Sequence, residues 1–185
     1  MLAAGLSTRY GGSKLVEQFS DCPLIQHPLK AAQSVCPGRV IMVTGNDSKQ
    51  VQACSADLAD ATVVNANFRS GIGSSIATGI RAVSAKADAV IVLLGDQPLI
   101  TTEHLATLAE QWSGNNNAIV ATSFDDVQGP PVLFGSATFD ALAEMSGDEG
   151  ARHLFGDDRF AVSSVPFADA AVDIDTPDDL LAATR

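Results

Sequence analysis

An α/β fold with a mostly parallel sheet is the fold class that this sequence predicts. Stretches of strand-like composition alternate with stretches of helical periodicity along the chain, as in strands joined by helical crossovers. Residues 89–94 are continuously apolar, which is typical of a central parallel strand buried on both faces. The chain has 185 residues, of which 46% are hydrophobic and 18% charged, so we expect residues 1–185 to form a single domain.

The individual elements follow from composition and periodicity. Strands are expected where β-branched apolar residues run together, at 39–44, 61–65, 89–94, 118–122 and 160–166. Residues 129–134 begin with a rigid Pro-Pro turn and end extended. Helices are expected at 23–35, 48–58, 76–83, 101–112 and from 176 onward. The last helix has a clear start, because Thr176 fits the N-cap, Pro177 the first helical position and Asp179 the capping-box acid.

The composition argues against several classes of function. A net charge of −11 is unfavourable for a nucleic-acid-binding surface. No apolar run reaches the length of a membrane span and no signal peptide is visible, so we expect a cytoplasmic protein without a membrane partner. The cysteines and histidines lack zinc-motif spacing, and we interpret the cysteines as reduced thiols. These residues are Cys22, Cys36, Cys54, His27, His104 and His153.

The first fourteen residues have the chemistry of a phosphate-binding loop. Glycines allow backbone N–H groups to approach phosphate oxygens closely, and Arg9 and Lys14 add full positive charges. The segment matches neither the Walker loop nor the Rossmann fingerprint. An ordinary glycine-rich turn with solvated basic side chains explains the spacing equally well, so spacing alone leaves both interpretations open.

Carboxylates stand at two positions where a divalent cation could bind. Asp96 directly follows the strand predicted at 89–94, and ligands of open α/β sheets bind at the carboxyl ends of strands. Asp173 and Asp175 flank Ile174, so in an extended segment they share a face. The alternative for Asp96 is a cap of the following turn. The helix cap at Thr176 does not explain Asp173.

The segment 71–75 joins small residues to a helix start. Exposed N–H groups at such a start suit anions or the polar edge of a ligand. A plain serine-capped helix is the alternative, and the segment by itself favours it.

Several of these segments together resemble the MobA-like nucleotidyltransferase family. Residues 2–14 fit the signature L-A-A-G-x-S-x-R-x-G-x-x-K. The resemblance continues with G-x-x-S-S-x-x-x-G-[IL] at 71–80, G-x-P-V-L-F at 129–134, G-D-x-G-A-R at 147–152 and D-I-D-T-P-x-D-L at 173–180. It therefore covers nearly the whole chain, and the G-D-x-G-A-R block is similar to the cytidylyltransferase branch of the family.

The resemblance implies a three-layer sandwich around a Rossmann-like central sheet, of the nucleotide-diphospho-sugar transferase type. Family members have a full first strand before the glycine loop, whereas only Met1 and Leu2 precede Ala3 in this chain. We therefore expect a truncated first strand, and its loss would leave its neighbours in the sheet unpaired. Either the true start lies upstream or the sheet is rearranged.

The resemblance also implies a reaction, in which CMP is transferred from CTP to molybdopterin with Mg²⁺ as cofactor. The implied catalytic residues are Arg9, Lys14, Asp96 and Asp173, with Asp96 and Asp173 as metal ligands. The implied nucleotide-binding residues are Leu2, Ala3, Ala4, Gly5, Ser7, Arg9, Lys14, Gly71, Ser74, Ser75 and Gly79. The implied acceptor-binding residues are Gly129, Pro130 and Arg152. A molybdoenzyme or its maturation factor would be the protein partner.

Other functions stay open at this point. One is guanylyl transfer to molybdopterin, which the G-D-x-G-A-R block argues against. Another is nucleotidyl transfer to a sugar or alditol phosphate. A third is a non-catalytic nucleotide-binding module that serves a molybdoenzyme. Arg152 itself fits a phosphate site through its planar guanidinium, or a surface ion pair with Asp148 or Glu149.

Overall fold

The computed structural model, which describes residues 1–45, 48–83 and 87–184, contains a sheet built from two halves. Its strands are β1 (Leu2–Ala3), β2 (Gln18–Phe19), β3 (Cys22–Pro23), β4 (Ile41–Thr44), β5 (Ala61–Val64), β6 (Ala89–Val92), β7 (Ala118–Phe124), β8 (Val127–Gly135) and β9 (Ala161–Pro166). Its α-helices are α1 (Gln26–Val35), α2 (Ser48–Ser55), α3 (Ile72–Val83), α4 (Thr102–Trp112), α5 (Phe139–Ala143) and α6 (Pro177–Ala183).

The two halves of the sheet differ in strand direction. One half has the order β5-β4-β1 and is parallel throughout. The other has the order β6-β8-β7-β9, in which β8 runs antiparallel to both of its neighbours. A parallel bridge between Leu2 and Leu94 joins the halves, so β1 and β6 lie side by side at the centre. The predicted α/β fold with a parallel sheet is confirmed, with β8 as its antiparallel exception.

The first strand is short, as expected, but the expectation that its neighbours are left unpaired is wrong for the residues around it. Leu2 and Ala3 pair with Val43 and Thr44 of β4. On the other side, Leu2 N–H donates to the Leu93 carbonyl and the Leu2 carbonyl accepts from Gly95 N–H, both at 2.9 Å. A single short strand therefore satisfies backbone groups on both sides.

Helices cover both faces of the sheet, which gives the three layers. The face covered by α1, α2 and α4 has a core that includes Leu24, Leu29, Met42, Val51, Leu105 and Leu108. The face covered by α3 and α5 has a core that includes Ile76, Ile80, Ile119, Phe134, Phe139 and Leu142. In the part of the chain that is described, no helix is long and apolar enough to cross a membrane.

Two predictions about single elements are wrong: the start of α1 and the burial of β6. The helix expected from residue 23 begins at Gln26, because Cys22 and Pro23 instead pair with Gln18 and Phe19 in a small antiparallel hairpin. The strand expected to be buried on both faces, β6, is only half-buried from Ala89 to Ile91. Its antiparallel pairing with β8 also departs from the expected parallel surroundings.

Candidate active site

The glycine loop after β1 is shaped by its own backbone. Ser7 has a positive φ of 49°, and its carbonyl accepts hydrogen bonds from the N–H groups of Tyr10 and Gly11, both at 3.1 Å. Gly5 is exposed, and a Cβ added there would meet nothing within 4 Å. The loop thus leaves room beside Gly5 for a ligand to approach the backbone.

Lys14 is the centre of the charged cluster at this end of the sheet. Its Nζ lies 2.8 Å from Asp96 Oδ2 and 2.8 Å from Asp175 Oδ1, and only 8% of its side chain is exposed. Arg9 Nη1 lies 2.8 Å from the other carboxylate oxygen of Asp175. The structure therefore brings Arg9 and Lys14 together with Asp96, which lies more than 80 residues further along the chain.

The carboxylates around Lys14 keep it protonated. Burial alone would lower the pKa of Lys14, but the Asp96 and Asp175 carboxylates oppose this effect and raise the pKa above its ordinary value. The ammonium is therefore fully charged at neutral pH.

Asp173 lies in the same cluster, with its pKa raised to about 6. Burial is the largest cause, and the nearby negative charges of Asp96 and Asp175 add to it. The Ile174 N–H donates to the Asp96 carbonyl at 3.0 Å, which ties the segment after β6 to the segment that carries Asp173. Asp96 and Asp173 are thus electrostatically coupled, as two carboxylates that share a cation site would be.

The cap of α6 fixes the position of Asp175. Thr176 and Asp179 form the predicted capping box. Asp179 Oδ2 also accepts a hydrogen bond from the Asp175 N–H at 3.0 Å. Because the cap holds the backbone of Asp175, its carboxylate is held beside Lys14.

Gln97 connects the Asp96 segment to the segment predicted for the acceptor. Its side chain is buried, with the residue 1% exposed, and Nε2 donates to the Ala170 carbonyl at 3.0 Å and to the Pro130 carbonyl at 3.5 Å. The Gln97 side chain also lies close enough to the Asp173 carboxylate to oppose part of the rise in the pKa of Asp173. Gln97 therefore holds Pro130 next to the two carboxylates.

Arg152 lies beside Gly129, so two of the residues predicted to bind the acceptor are neighbours in space. A Cβ added at Gly129 would lie 3.6 Å from Arg152 Nη2, so the guanidinium passes close to the strand backbone. The alternative ion pair of Arg152 with Asp148 or Glu149 does not form, since no carboxylate within the described ranges lies within 4.0 Å of this guanidinium. Arg152 is exposed and available to an anion.

The turn at Gly71 is held by Asn65 and by the segment after α5. Asn65 Nδ2 donates to Ser74 Oγ at 2.8 Å and to Ser75 Oγ at 3.0 Å. Gly71 has a φ of 98°, and a Cβ there would lie 2.3 Å from the Gly147 backbone. The turn is thus a rigid start of α3 that only glycine fits.

Four predicted nucleotide-binding residues have mainly structural surroundings. The peptide groups of Leu2 bond within the sheet, and Ala3 pairs with β4, so these residues place the loop that follows. Ala4 is buried where the loop begins. Gly79 lies in α3 against β4, where an added Cβ would come within 3.1 Å of Val43.

The sequence reading did not select Asp175, Gln97 or Asn65 as site residues. The sequence places Asp175 on one face with Asp173, but that pattern alone assigned it no role. Asn65 follows β5 at its carboxyl end, the edge where ligands bind in such sheets. No sequence pattern pointed to a role for Gln97 other than its position directly after Asp96.

Comparison with protein families decides the family to which this chain belongs. A family described as the MobA-like NTP transferase domain matches residues 1–162. The chain belongs to the MobA-like family. Nucleotidyl transfer is accordingly the class of reaction to which this chain is assigned.

Two relatives match this MobA-like chain over nearly their whole length. Purine catabolism protein PucB of Bacillus subtilis (strain 168) is 29% identical, with 96% of this chain and 91% of that protein covered. The molybdenum cofactor cytidylyltransferase of Escherichia coli (strain K12) is 25% identical, with 98% and 92% covered. The bifunctional protein GlmU of Ruegeria sp. (strain TM1040) is 31% identical over 60% of this chain, which spans only 25% of GlmU.

Solved structures show the same fold over the full length. The Rv0371c homolog from Mycobacterium sp. strain JC1 has a TM-score of 0.82 and 30% identity, covering 100% of this chain and 94% of that one. Rv0371c of Mycobacterium tuberculosis H37Rv, solved in complex with manganese, has a TM-score of 0.77 and 24% identity, covering 98% and 94%.

Proposed function

We propose that this chain transfers CMP from CTP to molybdopterin, forming molybdopterin cytosine dinucleotide and pyrophosphate. The observation that carries the proposal is the joining of two charged centres through one buried side chain. Lys14, Asp96 and Asp173 form the first centre, and Arg152 beside Gly129 forms the second. Gln97 links them. The similarity to the Escherichia coli cytidylyltransferase over nearly the whole chain supports this choice of substrates.

The reaction itself requires little proton transfer. A phosphate oxygen of the acceptor forms a bond to the α-phosphorus of CTP, and the bond from that phosphorus to the bridging oxygen of the β-phosphate breaks. Pyrophosphate leaves with the electron pair. Because the attacking phosphate is already ionised at neutral pH, the protein contributes positioning and charge neutralisation rather than a general base.

Arg9 and Lys14 are the residues that we assign to the triphosphate. Both are charged and lie at the end of the glycine loop, whose exposed Gly5 backbone and Ser7 turn would contact phosphate oxygens. In the ligand-free chain their charges are balanced by Asp175. Binding of a triphosphate would therefore exchange part of that carboxylate pairing for phosphate contacts.

Asp96 and Asp173 would hold Mg²⁺, which favours carboxylate and phosphate oxygens. The residues fit such an ion, because the mutual repulsion of these carboxylates helps to raise the pKa of Asp173 to about 6, and a divalent cation would relieve it. When bound, the ion would neutralise phosphate charge. The manganese complex of Rv0371c is consistent with a divalent cation in this fold.

The base and the acceptor are assigned to two different groups of residues. Small side chains and N–H groups at Gly71, Ser74 and Ser75 would accept the edge of a pyrimidine. Gly129, Pro130 and Arg152 would hold the acceptor, with Arg152 on a phosphate. A purine would push its second ring into the turn that Asn65 holds rigid. This is the physical reason to expect CTP over GTP.

The test is a competition assay. The full chain is incubated with molybdopterin, Mg²⁺ and equal concentrations of CTP and GTP, and products are identified by mass while pyrophosphate is measured. We expect a predominantly cytidylylated product, and loss of most turnover in Asp96→Asn, which keeps the size of the side chain but removes its charge. Asp173→Asn should act in the same direction.

Other outcomes would point to the alternatives. Predominant guanylylated product would overturn the CTP assignment and leave the family assignment untouched. Turnover only with a sugar or alditol phosphate would overturn molybdopterin as acceptor. Nucleotide binding without pyrophosphate release would indicate a non-catalytic module that serves a molybdoenzyme or its maturation factor. For an active enzyme, we propose the same protein as the partner that receives the product.

A further inference from the structure

A second cluster of potential metal ligands lies in the β2–β3 hairpin and the first turn of α1. Side-chain donor atoms of Asp21, Cys22 and His27 all lie within 4.8 Å of one another. Within the described ranges, no other group of three such side chains meets this distance, including the carboxylates around Lys14. None of these three residues is among those assigned to the candidate active site.

The distances within the cluster match those of ligands around one ion. Cys22 Sγ lies 3.3 Å from His27 Nε2, and two ligands of a tetrahedral zinc ion, with bonds of about 2.3 Å to sulfur and about 2.0 Å to nitrogen, lie about 3.5 Å apart. The Phe19 carbonyl oxygen lies 2.9 Å from the same His27 nitrogen, so it is a fourth potential donor. Asp21 is exposed and can turn its carboxylate toward the others.

The hairpin holds these donors in place without an ion. Phe19 pairs with Cys22 across the hairpin, and the Phe19 ring packs edge-on against the His27 ring at 5.1 Å between centroids. Leu24 N–H donates to the Glu17 carbonyl at 2.8 Å, which closes the hairpin onto α1. A pre-formed donor set of this kind lowers the entropic cost of binding.

A positive charge already occupies the position beside the sulfur. Lys30 Nζ lies 3.1 Å from Cys22 Sγ, one helical turn after His27. Lys30 is exposed and has a flexible side chain, so it can leave when another cation arrives. The surroundings of the sulfur thus attract a cation, and Lys30 supplies one in the metal-free chain.

We propose that Asp21, Cys22 and His27, with the Phe19 carbonyl, form a binding site for a thiolate-preferring divalent metal ion of the zinc class. Sulfur and imidazole donors select such ions over Mg²⁺. Binding would release the Cys22 proton, since the thiolate is the ligand. The bound ion would tie the hairpin to α1, next to the segment that carries Lys14.

Titration of the metal-free full chain with Co²⁺ tests the proposal, because cobalt reports a thiolate ligand by its near-ultraviolet charge-transfer absorption. We expect one equivalent to produce this absorption, with excess Mg²⁺ failing to remove it. Cys22→Ser should abolish it, and His27→Gln and Asp21→Asn should weaken binding by at least about tenfold. Asp21→Asn changes an exposed side chain and leaves the fold intact.

Matched controls separate the site from other thiols and from the catalytic carboxylates. Cys36→Ser, Cys54→Ser and Asp96→Asn should keep the absorption and the affinity. Lys30→Gln should tighten binding, because the competing ammonium is removed. The proposal is overturned if no charge-transfer band forms, if the band survives Cys22→Ser, or if Lys30→Gln weakens binding.

Discussion

Replacement of Lys14 by alanine probes the charged cluster most directly. The ammonium makes two contacts of 2.8 Å, one to Asp96, whose side chain is 24% exposed, and one to Asp175, which is 45% exposed. A hydrogen bond to a charged group contributes about 1.5–3 kcal/mol. The Asp175 contact is screened by solvent and adds less than the Asp96 contact.

Two effects on the protein are expected from Lys14→Ala. Loss of one charge-assisted contact to the triphosphate should lower kcat/KM for CTP by about tenfold to a hundredfold, which corresponds to about 1.4–2.8 kcal/mol. The unpaired Asp96 should lower the free energy of unfolding by about 1–3 kcal/mol. For a chain of this length that is a fall in Tm of about 2–12 °C.

Steady-state kinetics and calorimetry on the same preparation measure both effects. Lys49→Ala is the matched control, because Lys49 is an exposed lysine on α2 and its loss removes the same charge. An unchanged rate with a lowered Tm would refute a role of Lys14 in triphosphate handling and leave it a structural residue. An unchanged rate and an unchanged Tm would refute the ion pair itself.

Three further predictions concern other residues. Asp96→Asn should lower the pKa of Asp173 from about 6 in the metal-free chain, and an unmoved carbon-13 NMR titration midpoint would contradict this. Gly71→Ala should destabilise the chain by at least about 1 kcal/mol more than Gly114→Ala in urea unfolding. Both glycines have positive φ, but only Gly71 has backbone atoms in the way of a Cβ. Burial lowers the pKa of His104, so protonation of this residue should favour unfolding as the pH drops below about 6.5. His104→Gln should therefore make stability less sensitive to acid than in the wild type between about pH 7 and pH 5, and an unchanged difference between the two pH values would contradict this.

Much of the fold could be predicted because its signals are local. β-branched runs marked β4, β5 and β7, and the capping box at Thr176 marked the start of α6. The β2–β3 hairpin escaped prediction because each strand has only two residues, too few to show a period. The direction of β8 was also missed, since alternation within a strand does not reveal whether its partner runs parallel or antiparallel.

The candidate site was predictable to the extent that its residues stand in motifs. Arg9, Lys14 and Asp96 were selected from motifs and meet in space. Asp175 was missed because its contact with Lys14 joins positions that are 161 residues apart. The cluster of Cys22 and His27 was missed for a different reason. The spacing of Cys22 and His27 follows no zinc motif. The two side chains are close because α1 begins soon after the β2–β3 hairpin.

The contact between β1 and β6 has a consequence for how nucleotide binding affects the stability of the fold. The backbone bonds that join the two halves of the sheet directly are those of Leu2, while a shared core that includes Met42 and Val120 spans both halves. Lys14 follows β1 and Asp96 follows β6, so their ion pair connects the two halves of the sheet. A nucleotide that contacts residues of both halves would stabilise their pairing, because a ligand that binds only the paired state stabilises that state by mass action. Substrate would then slow hydrogen exchange at the Leu2 and Gly95 amides, far more than at the outer strand β5.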